Sequence, residues 1–199
     1  VIQLDPKNPY AHKDLGVVYL SQRLFDYAKD EFETAYKMAP EDSAVVFEMA
    51  NFYHAMNDFQ KAKELYEKAF KLAPEVMDIA VFRAINYLRL NEIDTALELF
   101  LDAMKKYPSQ HIILFNIGLI YYQKGNFDAA KEFLSDAYSL YQDPETMNAL
   151  ALTFYEHKEY ENAKNLAHKL IEQFPDNINL LLLLAKSYIE LGDAQNSVK

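Results

Sequence analysis

The 199-residue chain has no cysteine, four glycines and seven prolines. Without cysteine there is no disulfide framework, no zinc–cysteine site and no thiol nucleophile, and the redox compartment stays open. Basic residues are also few, with 20 Lys and Arg against 30 Asp and Glu for a net charge of −10. That balance disfavours general binding to phosphate backbones, so no nucleic-acid partner is expected. The longest apolar run, Leu180 to Ala185, falls far short of the ~20 residues that span a bilayer. No membrane insertion is expected. The opening VIQLDPKNPY lacks the basic start and apolar stretch of a signal peptide. Apolar residues still make up 51% of the chain and charged residues 25%, a globular balance and not a disordered one.

The scarce prolines are ordered. Pro6, Pro40, Pro74 and Pro108 stand 34 residues apart, the next position holds Gln142, and Pro175 follows one residue early. A fixed period of this length points to stacked supersecondary units. Other positions keep the register. Small residues recur at Gly16, Ala50, Ala84, Gly118, Ala151 and Ala185, and aromatics follow three later at Tyr19, Tyr53, Tyr87, Tyr121, Phe154 and Tyr188. Ala28, Ala62, Ala96, Ala130 and Ala163 align further on, then Phe32, Tyr66, Phe100, Leu134 and the smaller Ala167.

Apolar spacings of three and four make both halves of each unit amphipathic helices. Asn57, Asn91, Gly125 and Gly192 stand where a first helix would end in a left-handed residue, and Asp58, Asn126 and Asp193 follow as N-caps of the second. Gly or Ala on one helix lets its neighbour approach, and the aromatic beside it fills the remaining space. A single helical hairpin cannot bury both faces, whereas a stack of them can.

These residues resemble the tetratricopeptide repeat family, whose 34-residue pattern runs through a large residue, Leu-Gly, Tyr, Ala, Phe, Ala and Pro. The resemblance implies an all-α solenoid of stacked antiparallel helix pairs wound as a right-handed superhelix. Five complete units are read, 9–42, 43–76, 77–110, 111–143 and 144–177, with 1–8 as the tail of a preceding repeat and 178–199 as a truncated sixth. The family's Trp is replaced by His12, Val46, Ala80, Leu114, Met147 and Leu181. The fourth unit lacks its Pro and one residue, so a changed stacking angle is expected there. Both ends fall inside a unit, which suggests an excerpt of a longer array and a homodimer through uncapped ends.

The family binds partners on the concave face made by the first helices. Carried onto this register, that surface holds Phe47, Asn51, Val81, Ile85, Leu88, Phe115, Leu119, Tyr122, Leu152 and Tyr155, an apolar strip suited to a peptide or amphipathic helix. Glu145, Asn148, Glu156, Lys186, Ile189 and Glu190 share the same register. The plainer alternative is that some of these side chains are buried between units. The family's carboxylate clamp is unrecognisable, because Val17 stands where its first Asn belongs.

No catalytic, cofactor or metal site is read. The five histidines lack paired metal spacing, and phosphate-loop and HExxH motifs are absent. His54, placed inward, is expected to be a half-buried, hydrogen-bonded residue. The expected function is a non-catalytic protein-interaction scaffold. The alternatives are a self-associating assembly module, or the recognition arm of a larger enzyme whose catalytic domain lies elsewhere. The sequence leaves the partner and the compartment open.

Overall fold

A computed structural model describes residues 6–192. Among them the chain forms eleven α-helices and no strand. They are α1 (Pro9–Ser21), α2 (Phe25–Met38), α3 (Ser43–Ala55), α4 (Phe59–Leu72), α5 (Met77–Arg89), α6 (Ile93–Lys106), α7 (His111–Gln123), α8 (Phe127–Leu140), α9 (Pro144–Glu156), α10 (Tyr160–Gln173) and α11 (Ile178–Glu190). The chain divides into two compact units, one up to Ala103 and one from Met104.

Recurrent chemistry sets the helix ends. Asn8, Asp42, Asp143 and Asn177 accept from backbone N–H groups in the first turns of α1, α3, α9 and α11, and Asp58 and Asn126 do the same for α4 and α8. Such caps satisfy donors that have no partner within the helix. At the turns inside each pair the chain passes through a positive φ at Arg23 (60°), Asn57 (61°), Asn91 (60°), Gly125 (73°) and Lys158 (64°). One bond recurs at these turns, with Leu24, Asp58, Asn126 and Glu159 donating to Tyr19, Tyr53, Tyr121 and Phe154 at 2.8–2.9 Å. This is the Schellman closure that a left-handed residue permits. Asn57, Asn91, Gly125 and Gly192 adopt the backbone expected of them. Arg23 and Lys158 do so without Asn or Gly chemistry. Asp58 and Asn126 are caps as expected, and Asp193 lies outside the described residues.

In the first unit α1 packs on α2, α2 on α3, α3 on α4 and α4 on α5, with α1 also touching α3. Its core joins Ala28, Phe32, Val46, Ala50, Tyr66, Ala69 and Ile79. In the second unit α7 packs on α8, α8 on α9, α9 on α10 and α10 on α11, while α9 also touches both α7 and α11. Its core joins Leu134, Ala137, Leu150, Ala151, Ala167, Leu170 and Leu180. Fully burying a side chain such as Phe32 or Leu134 stabilises by about 1.5–3 kcal/mol. The small-against-large fit is tight. A Cβ added at Gly16 would lie 2.8 Å from the Phe32 ring, and one at Gly118 would lie 2.6 Å from Leu134 Cγ.

The α8–α9 link differs from its counterparts. Tyr141 takes ψ 120° where Ala39, Ala73 and Phe174 take 66–73°. His111 on α7 closes this stretch: its Nε2 lies 2.7 Å from Thr146 Oγ1 and 3.0 Å from Asp143 Oδ2, and its ring edges onto Tyr141. The other fully buried polar side chains are likewise bonded. Thr153 and Ser187 donate to carbonyls one turn back, and Asn86 donates to the Phe59 carbonyl. This is what burial of polar groups requires.

Candidate peptide-binding face

The sequence places its candidates on the first helix of each pair, and each compact unit presents its own set. In the first unit, Phe47 on α3 is half-buried, with its ring 6.0 Å from Tyr66 and 5.7 Å edge-on from Phe82 of α5. Asn51 is committed to its neighbours: its Oδ1 accepts from the Tyr66 hydroxyl at 2.7 Å, and its Nδ2 donates to Glu48 at 3.1 Å. Burial, with the Glu48 charge adding to it, pushes the Tyr66 phenol up, so it stays a donor. Ile85 and Leu88 are half-buried. Val81 is 2% exposed and belongs to the core, while the next residue, Phe82, is 37% exposed and meets Phe47. Register reasoning missed Phe82, because a 34-residue alignment marks Val81 as the inward position. The large ring beside a small β-branched residue was the available signal.

His54 is half-buried between α3 and α5, with Nδ1 2.9 Å from Asn86 Oδ1. Burial lowers its imidazole, the Asn86 bond opposes this, and the Arg89 charge lowers it further. The neutral ring is thereby favoured, as for a packed and bonded histidine.

In the second unit α7 and α9 lie side by side and leave a hollow of about 190 Å³. Phe115, Leu119, Tyr122 and Leu152 line it together with Glu145, Asn148 and Ala149. Four sequence candidates thus meet at one place. Their depths differ: Phe115 is 9% exposed and stacks on His111 at 5.9 Å, whereas Leu119, Tyr122 and Leu152 are half-buried at the mouth. Tyr155 stands one turn beyond Leu152 on α9, its ring 5.4 Å from Tyr160. Burial raises the Tyr122 and Tyr155 phenols, and nearby carboxylates raise them further: Glu156 for Tyr122, Glu190 and Glu156 for Tyr155. On α11, Leu182 and Ile189 are 51% and 60% exposed. Among the described residues no group of three or more His, Cys, Asp or Glu is placed to hold a metal ion, and no helix is long and apolar enough to cross a membrane.

One family model described as tetratricopeptide repeat matches residues 22–86 and 154–196, more than half of the chain, and a second of the same description matches 83–144. The chain belongs to the tetratricopeptide repeat family. Among solved structures, this repeat chain is similar to the APC/C hetero-tetramer Cut9–Hcn1, with TM-score 0.83, 16% identity and 99% of this chain covered. It spans only 39% of that protein's chain. It is also similar to Pseudomonas aeruginosa pilF, with TM-score 0.81, 22% identity, and 95% of this chain and 88% of the other covered. A third similar structure is YrrB, described as a TPR protein with an unusual peptide-binding site, with TM-score 0.68, 16% identity, and 90% and 93% covered. At these identities the likeness establishes the fold, an all-α solenoid of helix pairs. No curated protein sequence matches the chain. Tetratricopeptide repeat proteins bind protein partners and are typically scaffolds without catalytic activity.

Proposed function

We propose that this tetratricopeptide repeat chain is a non-catalytic interaction scaffold that holds a peptide or an amphipathic helix of a partner protein against its first helices. The observation that carries the reading is the α7–α9 hollow. Leu119, Tyr122 and Leu152 stand half-buried at its mouth, and Asn148 and Glu145 sit at its edge. An apolar patch with a polar rim on a helical scaffold suits apolar anchors at helical spacing. In the first unit Phe47 meets Phe82 edge to face, and Ile85 and Leu88 stand half-buried on the same helix as Phe82. Val81 and Phe115 support these surfaces from beneath. In this reading 9–42, 43–76, 77–110, 111–143 and 144–177 are the repeats, and within each unit their first helices supply the docking surface.

The half-buried positions are the ones to test. Leu119→Asp and Leu152→Asp, each checked by circular dichroism for retained helicity, should abolish capture of the partner by the immobilised chain from its native extract. Capture at wild-type level by both variants would refute the α7–α9 face as the docking site. Phe115→Asp is unsuitable, because at 9% exposure it would bury an uncompensated carboxylate and unfold the unit.

A further inference from the structure

The second unit's face is not uniformly apolar. One turn past Leu152, which lines the hollow, α9 carries Tyr155, whose ring packs edge-to-face on Tyr160 at 5.4 Å. Two carboxylates converge on that pair. Glu156 follows Tyr155 at the end of α9, and Glu190 closes α11 near the Tyr160 hydroxyl. Both act electrostatically on both phenols: after burial, the Glu190 and Glu156 charges are what hold the Tyr155 and Tyr160 hydroxyls protonated beyond their ordinary range. Both carboxylates are exposed, and so remain available to a ligand. Opposing charges are Lys186, one turn before Glu190 on α11, and Lys158, two residues past Glu156 in the α9–α10 turn. Glu145 adds a third carboxylate at the hollow's edge, although its place in the first turn of α9 also serves the helix dipole.

An apolar hollow beside two aromatic rings flanked by carboxylates has a definite complement. Resting on the reading of this face as a docking surface, we propose that its occupant carries apolar anchors followed by a lysine or arginine. The anchors enter the α7–α9 hollow, and the cation seats between Glu156 and Glu190 against the rings of Tyr155 and Tyr160. The carboxylates supply charge-assisted hydrogen bonds, and the ring faces attract the same cation. The chain's net charge of −10 steers such a segment inward and repels an acidic one. An acidic tail, with its terminal carboxylate, is therefore the wrong occupant for this end of the face.

A random 12-residue peptide library displayed on phage tests this, panned against the whole 199-residue chain, against Leu119→Asp, and against Glu156→Gln/Glu190→Gln. On the wild type, the enriched peptides should pair apolar residues with a following Lys or Arg. The Leu119 variant should retain none of them, with Asn148→Arg as a second block of the hollow should Leu119→Asp lose its helicity. The double Gln variant should keep the apolar anchors, lose the basic preference and bind the wild-type-selected peptides roughly tenfold more weakly by fluorescence anisotropy. Enriched peptides with apolar anchors but no basic residue would overturn the inference and leave the docking surface standing. Peptides retained by both blocked variants would overturn the docking surface itself, and the inference with it. Absence of any enrichment on the wild type counts against both.

Discussion

At the scale of the residue, two histidines show how one side chain takes opposite roles in one repeat architecture. His12 occupies the position of the family's Trp and bridges α1 to Glu31 on α2 and to the Pro6 carbonyl. The Glu31 hydrogen bond raises its imidazole above the ordinary value, burial opposes, and the Pro6 carbonyl and the Glu31 charge add to the rise. A base whose pKa is raised on folding binds its proton more tightly in the folded state. Its stabilisation is therefore complete below the unfolded value of about 6.5 and is lost as pH climbs through the raised folded value. His54 runs the other way, since its lowered imidazole costs stability as pH falls below that same ordinary value. Between pH 6 and 8.5 the thermal midpoint of the wild type should fall more steeply than that of His12→Gln. Parallel pH profiles for the two proteins would show that the Glu31 contact contributes nothing through protonation. The turn residues belong to this scale as well. Asn57, Asn91 and Gly125 announce a left-handed backbone by their chemistry, whereas Arg23 and Lys158 take it only because the closing bonds to Tyr19 and Phe154 hold the turn.

At the scale of the element, the repeating cadence treats Gly and Ala as one small class, and the packing separates them. Ala50, Ala84 and Ala151 are fully buried with their methyl groups in place. At Gly118 a Cβ would meet Leu134 Cγ at 2.6 Å and the Leu134 backbone N at 3.2 Å, so the neighbour cannot simply rotate aside. Gly118→Ala gains about 1 kcal/mol of helix propensity against an overpacking cost of about 1–3 kcal/mol, for a net loss of about 0–2 kcal/mol. Leu134→Ala costs about 2–5 kcal/mol. With Leu134 shortened, the added methyl at 118 finds room. The double variant should therefore lose less stability than the singles combined, by about 0.5–3 kcal/mol in urea denaturation. Strict additivity would mean that α7 and α8 relax apart and the contact is not tight. The same distinction marks what the sequence could and could not disclose. Period and helical spacing identify the helix pairs, the fold and the face on which Leu119, Tyr122 and Leu152 meet. They carry no information on depth. Val81 and Phe115 share the register of half-buried residues yet are core, and Phe82 reaches the surface one position off the pattern. Glu156 and Glu190 stand on two helices, so that both act on the Tyr155 and Tyr160 phenols follows from the packing of α9, α10 and α11 and not from the pattern.

At the scale of the whole molecule, contacts run between helices adjacent or next-but-one in the chain: α8 with α7 and α9, α10 with α9 and α11, and first helices such as α7 and α9 with each other. Stability in such an array is close to a sum of unit terms and nearest-neighbour terms, so damage stays local. Local contacts also open and close in sub-global steps and not as one unit. Leu134 is fully buried on α8 and belongs to the core that α8 shares with α7 and α9. Native-state hydrogen exchange followed by mass spectrometry should therefore show Leu134→Ala lowering protection most in α7, α8 and α9. The decrease should be smaller in α10 and α11 and smallest in α3 and α4, whose core is centred on Ala50, Tyr66 and Ala69. An equal loss of protection in every helix would show that the chain unfolds as one cooperative block. In that case a substitution anywhere in the core would disturb the α7–α9 hollow, and variants at the hollow's mouth could be compared only at matched global stability.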